Sequence, residues 1–467
     1  MSVFVISLVV WLVLVFLSVT SGIEKNWLKK LTSLYAPLRM APTDSYYRSY
    51  YYQVDGIAAA SDFTLKTVGE KAIAPSTDPY STETDMEIPH YWERPATVLD
   101  PVKIAVDQLT EMKADFPNLH FEDYEVSGAL LKLELNRGGR VSTLSQMSYL
   151  LSFADENPNM ASLLIPSEEP YRAIAKDGKI IFPEGPEIAI LLPKSYRDSG
   201  VKVGDKGFLN YSTSTAASSQ EQRIAIRTAG FYDPGFLSLG NRCLIVPHSV
   251  TRQIYATTQT YSSDGAPTNG IFIWPHDLNQ TPAIEKQIAS RFEKAGIADY
   301  WRLTSYEEYE FSRDLLQQLR SDRMLFTLIA VIILLVACCN IISLLVLLVN
   351  DKKREIAILQ SMGASPQSIA SIFAACGATL GLVSCIIGSA LAVVTLKNLT
   401  AIVTALSKLQ GKVAFNPTFF GQSLPNELSI DALTFVLIAT PFLSVVAGLI
   451  PAIKASKIRP SQVLRSE

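Results

Sequence analysis

Side chains that commonly catalyse reactions or bind metals are scattered in this sequence. Its four histidines lie far apart: His90, His120, His248 and His276. None stands in a His-Glu-x-x-His motif, and there is no Cys-x-x-Cys pair and no Gly-x-Ser-x-Gly nucleophile elbow. Carboxylates are plentiful, but no spacing singles out an acid–base pair. The sequence therefore predicts no catalytic residue and no metal site.

A nucleotide site is not predicted either. A phosphate-binding loop ends in Gly-Lys followed by a hydroxyl residue that binds the metal ion. Here Gly178-Lys179 and Gly411-Lys412 are followed by Ile and Val. We therefore expect no cofactor in this chain, and any ATP and Mg²⁺ that it uses must be bound by another chain.

Composition divides the chain into an apolar, basic part and a polar, acidic part. Only 18% of the 467 residues are charged, against about 25% in soluble domains. Residues 324–467 hold 10 basic and 5 acidic side chains, whereas the remainder holds 31 basic and 39 acidic ones. This pattern excludes a single soluble domain, a disordered protein and a generic nucleic-acid binder.

Four charge-free apolar segments account for the division: residues 1–23, 324–350, 361–396 and 432–453. A membrane-spanning helix needs about 20 apolar residues, so the sequence predicts four transmembrane helices. The first segment lacks the basic start of a signal peptide and is long for one, which favours a retained helix. Its missing cationic flank suggests that the sequence starts inside or near the membrane.

Charge placement predicts the topology. Residues 351–355 (Asp-Lys-Lys-Arg-Glu) follow the second segment, and Lys454, Lys457 and Arg459 follow the fourth. Short basic segments favour the cytoplasmic side. We therefore expect both termini in the cytoplasm and residues 24–323, with the loop 397–431, on the far side.

The large polar region reads as an α+β domain, with two lobes expected. Alternating or β-branched runs predict strands at 130–135, 179–182, 187–192, 224–226, 242–246 and 270–274. Helical spacing predicts helices at 101–114 and 282–295. The fold expected for the whole chain is an α-helical membrane domain of four transmembrane helices with this α+β domain between helices 1 and 2.

Residues 43–100 form an atypical insertion in that domain. A tyrosine cluster opens it: Tyr46, Tyr47, Tyr50, Tyr51 and Tyr52. Because tyrosine favours the membrane interface, the cluster predicts a membrane-proximal aromatic belt. A ligand-stacking surface is the alternative.

A continuous helix is predicted between the exported domain and the second span. Thr304 and Ser305 can cap it, with Glu307 and Glu308 three residues further on. We expect a stalk helix at 305–323 that carries movement into the span at 324–350. An ordinary helix leading into the membrane fits the same pattern.

A short amphipathic helix is predicted in the cytoplasmic segment 351–366. Ile356, Leu359 and Met362 form its apolar stripe, Gly363 can end it, and Ser365-Pro366 begins the next helix at 367–396. Such a stripe either lies on the bilayer or docks into a partner, and its brevity and mixed charge favour the partner.

Within the spans, three residues indicate helix packing. Gly377 and Gly381 lie four apart, which lets helices approach closely. Asn340 is a polar group in mid-span that needs a partner in the membrane.

These segments resemble a known family. Residues 336–342 (Val-Ala-Cys-Cys-Asn-Ile-Ile), residues 352–365 and the tail 451–460 are similar to the lipoprotein-releasing (Lol-type) permeases of the FtsX- and MacB-like ABC permease family. Residues 21–24, 201–206, 300–303 and 424–425 fit the same family.

The resemblance implies one half of a transmembrane permease dimer, homomeric or heteromeric, in the bacterial inner membrane, with the large domain in the periplasm. Two copies of a cytoplasmic ABC ATPase subunit would drive the permease through a coupling helix that carries these residues: Arg354, Glu355, Ile356, Leu359, Met362 and Gly363. The substrate would be an acylated lipoprotein. Its lipid would enter from the membrane lipids between the first and second spans of the two subunits, and the lipoprotein would pass to a periplasmic carrier. The segment 211–223 lies where some members carry a carrier-binding hook but lacks that hook's prolines.

Two other functions fit the sequence. An FtsX-like subunit would use ATP to signal to an extracytoplasmic partner such as a cell-wall hydrolase. A MacB-like efflux subunit would need an outer-membrane channel and usually a fused ATPase.

Overall fold

The computed structural model describes residues 2–57, 66–74, 91, 95, 99–137, 140–153, 163–176, 179–214, 218–234, 240–258, 269–410 and 428–456. The chain divides into two compact units. The first comprises Met1–Leu28 with Leu315–Glu467, and the second comprises Lys29–Asp314. We call them the membrane unit and the exported unit, after the locations that the sequence predicts for them, and describe each by itself.

The membrane unit is helical. Its helices are α1 (Ser2–Leu34), α9 (Glu310–Asp351), α10 (Lys353–Ser361), α11 (Pro366–Lys397), α12 (Leu399–Gln410) and α13 (Ile430–Ser456). Among the described residues, α1, α9, α11 and α13 are long and apolar enough to cross a membrane. Each covers one of the predicted spans, although α1 runs eleven residues beyond residue 23. The predicted loop 397–431 contains α12.

The core of the membrane unit brings α1, α9, α11 and α13 together. Side chains from each of these helices share one hydrophobic cluster, which includes Val10, Leu345, Cys385 and Val436. Most large apolar side chains on the outer faces of the same helices are exposed. This arrangement suits a lipid environment, in which exposing a leucine side chain has no free-energy cost.

The exported unit is built on a nine-stranded sheet. Its strands are β1 (Leu38–Pro42), β2 (His120–Arg137), β3 (Arg140–Phe153), β6 (Ile188–Pro193), β7 (Lys206–Ser214), β8 (Ser219–Tyr232), β9 (Cys243–Ile245), β10 (Asn269–Trp274) and β11 (Trp301–Ser305). A separate hairpin joins β4 (Ile174–Lys176) to β5 (Lys179–Ile181). The strand order is β11-β1-β10-β2-β3-β9-β6-β8-β7.

The 18-residue strand β2 organises this sheet. One edge of β2 pairs with β3 along most of its length, and the other edge pairs first with β10 and then with β7. The β2–β7 pairing closes β2, β3, β9, β6, β8 and β7 into a ring. The β3–β9 and β6–β8 pairs are parallel, and the other pairs are antiparallel.

Helices complete two hydrophobic clusters in the exported unit. Helices α2 (Asp44–Tyr47), α3 (Tyr50–Ile57), α4 (Val68–Ile73), α5 (Pro101–Asp115) and α8 (Thr281–Lys294) adjoin one cluster, and α6 (Lys194–Asp198) and α7 (His248–Thr258) adjoin the ring. The spacing of Ile284, Ile288 and Phe292 on α8 buries one face of that helix, as predicted. The α+β prediction for this region is confirmed. Both clusters lie within one compact unit, and the division into two lobes stays a prediction.

The predicted start of the stalk helix is wrong. Residues Trp301–Ser305 form β11, in which Leu303 pairs with Met40 and Ser305 with Leu38 of β1. The helix begins only at Glu310, so neither Thr304 nor Ser305 caps it. Pairing with a strand from far along the chain outweighs a local capping signal here.

The tyrosine cluster is a core feature rather than an exposed aromatic belt. Tyr46 and Tyr52 are buried, and the ring of Tyr46 lies 5.8 Å from that of Trp301. Lys71 of α4 lies over the rings of Tyr51 and Tyr52 at 4.6 and 4.8 Å, a cation–π arrangement. The start of the atypical insertion is thus part of the exported unit's core, and much of its remainder lies outside the described residues.

Candidate functional site

The helical turn between α9 and α11 is the candidate coupling site. Helix α9 ends at Asp351, and α10 begins at Lys353 with Lys352 at its N-cap. The ammonium of Lys352 lies 2.6 Å from a carboxylate oxygen of Glu355. Both side chains are exposed, so the pair adds little stability but keeps the start of α10 charged.

Glycine ends α10 as its sequence indicates. Gly363 has a φ of +101°, a left-handed conformation that residues with a Cβ rarely adopt. The amide of Ala364 donates to the carbonyl oxygen of Leu359 at 3.1 Å, which closes the helix end. Ser365 then accepts a hydrogen bond from the amide of Ser368 and starts α11. These contacts fold the chain back toward the spans.

The predicted apolar stripe of α10 is split between two faces. Ile356 is buried and packs with Val349, Ile369 and Phe373 against the adjoining helices. Leu359 and Met362 are 48% and 78% exposed. Ile356 therefore anchors α10 rather than presenting a docking surface.

The exposed face of α10 includes a residue outside the predicted stripe. Ile358 is 42% exposed and lies beside Leu359 and Met362. We call these three residues the α10 apolar face. Arg354, Glu355 and Gly363 are also exposed at this turn. An apolar face of this kind is suited to a groove on another protein.

The two predicted glycines lie where α11 meets α13. A Cβ built on Gly377 would lie 2.8 Å from the carbonyl oxygen of Ser444, and one built on Gly381 would lie 2.1 Å from the Ser444 hydroxyl. A third glycine, Gly388, makes a similar approach to α1, where its Cβ would lie 2.7 Å from the Ser7 carbonyl oxygen. These contacts need small residues because the backbones themselves touch.

Asn340 has a different environment from the two glycines. It is exposed on α9, so it does not pack against another helix in the described part of the membrane unit. The position that the sequence singles out as needing a polar partner thus faces outward.

A small cavity lies among the ends of three helices in the membrane unit. Its volume is about 210 Å³. The guanidinium of Arg323 on α9 lies 3.9 Å from a carboxylate oxygen of Glu24 on α1 and 4.0 Å from one of Asp431 on α13. Apolar and hydroxyl side chains complete the lining: Leu17, Thr20, Ser21, Phe326, Thr327, Ser429, Ala432 and Phe435. A cation between two carboxylates marks the end of the apolar segments and fits a membrane–water interface.

The segment 211–223 forms the distal part of a hairpin. It spans the end of β7 and the start of β8, which pair antiparallel as far as Ser214 and Ser219. The residues between 214 and 218 lie outside the described part of the chain. The described side chains near this tip, Ser219, Gln220 and Glu221, are exposed.

One cluster of polar residues escaped the sequence analysis. Asp123, Glu125 and His248 offer ligand-type atoms that all lie within 4.8 Å of one another. Asp123 and Glu125 point to one face of β2 because they are two residues apart, whereas His248 is 123 residues further along the chain. Only the alternation of two carboxylates in a strand could have drawn attention to it.

Comparison with known proteins finds a family match within the membrane unit. Residues 327–460 match the family described as FtsX-like permease C-terminal. This match contains α10 to α13, with the two glycines, and most of α9.

Three relatives match the chain over different lengths. The lipoprotein-releasing system transmembrane protein LolE of Haemophilus influenzae is 37% identical over 27% of this chain and 31% of its own length. LolC of the same organism is 34% identical over 39% of this chain and 41% of its own length. LolC of Xylella fastidiosa is 22% identical over 68% of this chain and 75% of its own length.

The chain thus spans less than half the length of the two Haemophilus relatives that it matches, and about three-quarters of the Xylella protein. The predicted resemblance is confirmed. Residues 327–460 are an FtsX-like permease domain, and the chain is a homologue of the lipoprotein-releasing transmembrane proteins LolC and LolE.

Proposed function

We propose that this chain is the permease subunit of an ABC transporter that extracts acylated lipoproteins from the bacterial inner membrane. A separate cytoplasmic ATPase binds ATP and Mg²⁺, and a periplasmic carrier receives the lipoprotein. One observation carries the proposal: the FtsX-like permease region presents the exposed α10 apolar face between two membrane-length helices.

The α10 apolar face is the docking point of the ATPase in this proposal. Leu359 and Met362 project from a helix that is anchored to the membrane unit through Ile356. Because Ile356 packs with residues of both α9 and α11, a displacement of α10 is transmitted to both of these membrane-spanning helices. This anchoring supports a role in coupling ATP hydrolysis to helix movement.

The topology follows from the same segment. The basic residues around α10 and at the end of α13 are cytoplasmic, which assigns the exported unit to the periplasm and both termini to the cytoplasm. The cavity lined by Glu24, Arg323 and Asp431 then lies at the outer surface of the membrane.

The outer faces of α1 and α9 support an acylated substrate. Large apolar side chains are exposed on both helices, including Phe4, Leu8, Leu325 and Leu328. Moving an acyl chain from lipid into water costs about 0.8 kcal/mol per methylene. Extraction therefore needs both ATP and an apolar path. The outer faces of α1 and α9 provide this path between the first two spans.

A second permease subunit completes the transporter. Asn340 is exposed in the middle of an otherwise apolar helix, and an amide in the membrane is stabilised by a polar partner. A neighbouring subunit, either a second copy or a different chain, supplies that partner at a dimer interface.

The hairpin of β7 and β8 is the candidate contact for a periplasmic carrier. By the resemblance to the family it corresponds to the carrier-binding hook, and the described residues that follow its tip are exposed and polar. Since it lacks the prolines of that hook, carrier binding can instead belong to the partner subunit.

Purification of the intact complex tests the proposal. We expect an ABC-type ATPase, a second permease subunit and bound acylated protein to co-purify with the chain. Leu359→Asp should leave the membrane unit folded but abolish ATPase association, because a charge replaces an apolar contact. Ser361→Asp, which adds the same charge to the same helix without removing an apolar side chain, is the control. Unchanged association in Leu359→Asp would contradict the coupling role.

A second candidate function is FtsX-like signalling to an extracytoplasmic partner. The family match leaves this alternative open because it begins at residue 327, after the exported unit, and so does not cover that unit. A cell-wall hydrolase that co-purifies with the chain, together with no release of acylated protein, would support signalling over transport.

A further inference from the structure

Two cavities of the membrane unit share residues and form one continuous site. The cavity of about 210 Å³ among α1, α9 and α13, which we call the interface cavity, has Asp431 and Phe435 in its lining. The same two residues begin a groove of about 420 Å³ that follows α13 as far as Phe442. A polar cavity is thus continuous with a groove on a membrane-length helix.

The groove is apolar and has the length of one membrane leaflet. Beyond Asp431 its lining consists of Thr434, Phe435, Ile438, Ala439 and Phe442. From Asp431 to Phe442 the helix rises about 16 Å, and half of the hydrocarbon core of a bilayer is about 15 Å. An acyl chain lying in the groove would therefore reach from the membrane surface to the middle of the bilayer.

The charges of the interface cavity lie near one another without being hydrogen-bonded. Guanidinium nitrogens of Arg323 lie 3.9 Å from a carboxylate oxygen of Glu24 and 4.0 Å from one of Asp431, which is longer than a hydrogen bond. Among the described residues, none of these three charged groups has a hydrogen-bond partner. The N–H donors of the guanidinium and both carboxylates are therefore available to a ligand.

The interface cavity lacks one positive charge. Two carboxylates and one guanidinium give its lining a net charge of one negative unit. The Glu24 side chain is only 18% exposed, and a carboxylate withdrawn from water is stabilised by a paired cation. The hydroxyl oxygens of Ser21 and Ser429, 3.5 Å apart, belong to the same lining. A ligand with an ammonium group for the carboxylates and an anionic oxygen for the guanidinium would match these polar groups.

We propose that this site binds a zwitterionic phospholipid with a primary ammonium in its headgroup, the phosphatidylethanolamine class. The phosphate accepts hydrogen bonds from Arg323, the ammonium donates to Glu24 and Asp431, and one acyl chain lies in the groove along α13. An anionic phospholipid would add a second unpaired negative charge, and a choline headgroup has no N–H to donate.

The bound lipid joins α1, α9 and α13 at the membrane surface. Its groove follows α13, whereas the substrate path of the proposed function follows α1 and α9. The inference rests on the membrane location of these helices and not on lipoprotein release, so the two can fail separately.

Native mass spectrometry of the purified full-length chain tests this inference. The chain is stripped of lipid by detergent exchange and mixed with equal amounts of dioleoyl phosphatidylethanolamine, dioleoyl phosphatidylglycerol and dioleoyl phosphatidylcholine, which differ in mass. We expect one phosphatidylethanolamine per chain, bound about tenfold more tightly than either of the other two, because only its headgroup makes charge-assisted hydrogen bonds to the carboxylates.

Asp431→Asn tests the headgroup contact. The neutral amide should reduce the preference for phosphatidylethanolamine over phosphatidylcholine, and the variant should fold because the Asp431 side chain is 85% exposed. Asp351→Asn is the matched control, since it removes the same charge from an exposed position at the far end of α9 and should keep the preference. Arg323→Gln should weaken binding of all three phospholipids, because each carries a phosphate.

Ala439→Phe tests the acyl contact without changing any charge. The ring should fill the groove and lower phosphatidylethanolamine binding, whereas Leu437→Phe adds a ring to the same helix outside the groove and should bind normally. Each variant is measured on its monodisperse size-exclusion peak. Equal binding of the three phospholipids by the unmodified chain, an unchanged preference in Asp431→Asn, or equal binding by Ala439→Phe and Leu437→Phe would overturn the proposal.

Discussion

The membrane unit and the exported unit place their polar and apolar groups in opposite ways. In the membrane unit, large apolar side chains face outward, and contacts between helices use glycine and serine, as at Gly377, Gly381 and Ser444. In the exported unit, apolar side chains fill two clusters, and a charged group, Glu125, is buried with its partners. The difference follows from the solvent. Burying a leucine side chain stabilises a fold in water, but it gives no such stabilisation in lipid.

This contrast indicates where each unit is sensitive to change. The contact between α11 and α13 in the membrane unit requires small residues at Gly377 and Gly381. The contact between β2 and α7 in the exported unit instead requires the charge of Glu125. Substitutions that add volume between α11 and α13 should therefore harm the first unit, and substitutions that remove the buried charge of Glu125 should harm the second.

The largest effect is expected from volume added between α11 and α13. Gly381→Val should prevent these helices from packing, because a Cβ at this position already overlaps Ser444. Size-exclusion chromatography of the detergent-solubilised protein should show loss of the monodisperse peak. Gly128→Val is the control, because a Cβ there meets no atom within 4 Å. A normal monodisperse peak for Gly381→Val would contradict the claim that the α11–α13 contact requires a small residue.

The next effect concerns the charge buried in the exported unit. Glu125→Gln should destabilise that unit by about 3 kcal/mol, since it leaves Arg252 without its buried partner. Thermal or denaturant unfolding measures this loss. Glu221→Gln removes a carboxylate that pairs with Lys132 but is 65% exposed, so it should change stability by less than about 1 kcal/mol. Equal losses in the two variants would contradict the account.

Lowering the pH should destabilise the exported unit through protonation of Glu125. Burial raises the pKa of Glu125, but hydrogen bonds from His248, Thr251 and Thr67 outweigh burial and hold this pKa below its ordinary value of 4.5. The contribution of Glu125 to stability is therefore present above pH 4.5 and is lost as the pH falls through the lower folded value. The melting temperature of the unmodified chain should therefore fall between pH 5 and pH 3 more than that of Glu125→Gln. Parallel pH profiles would show that another group dominates.

The smallest effect is expected at the end of α10. Gly363→Ala should cost about 1 kcal/mol through backbone strain alone, because φ is +101° and no atom lies within 4 Å of a Cβ there. Hydrogen exchange of the α10 amides should increase. Gly363→Asn, which tolerates the left-handed region better, should exchange more slowly than Gly363→Ala. Unchanged exchange in Gly363→Ala would show that this glycine does not set the end of the helix.

Sequence predicted well those elements that depend on local signals. The four long helices follow from charge-free runs, and the turn at Gly363 and Ser365 follows from residues whose backbone preferences are strong. The α+β class of the exported unit also follows from alternation, as in the segment 130–135 that lies within β2.

Features that depend on distant partners were missed or misread. The strand Trp301–Ser305 looked like a helix start because its partner β1 lies more than 250 residues earlier. Ile356 looked like part of a docking stripe, since periodicity alone cannot tell which side meets α11. The Asp123–Glu125–His248 cluster combines two chain segments with no local motif in either.

Release of lipoprotein tests the central claim most directly. Proteoliposomes would contain the purified chain with its co-purifying permease and ATPase subunits and a labelled acylated protein, and the label appearing in the soluble fraction would be measured after ATP is added. The account predicts release only when the chain, the ATPase and ATP are all present. ATP hydrolysis by the purified chain alone, or a complete ATPase complex that never releases the labelled protein, would contradict it.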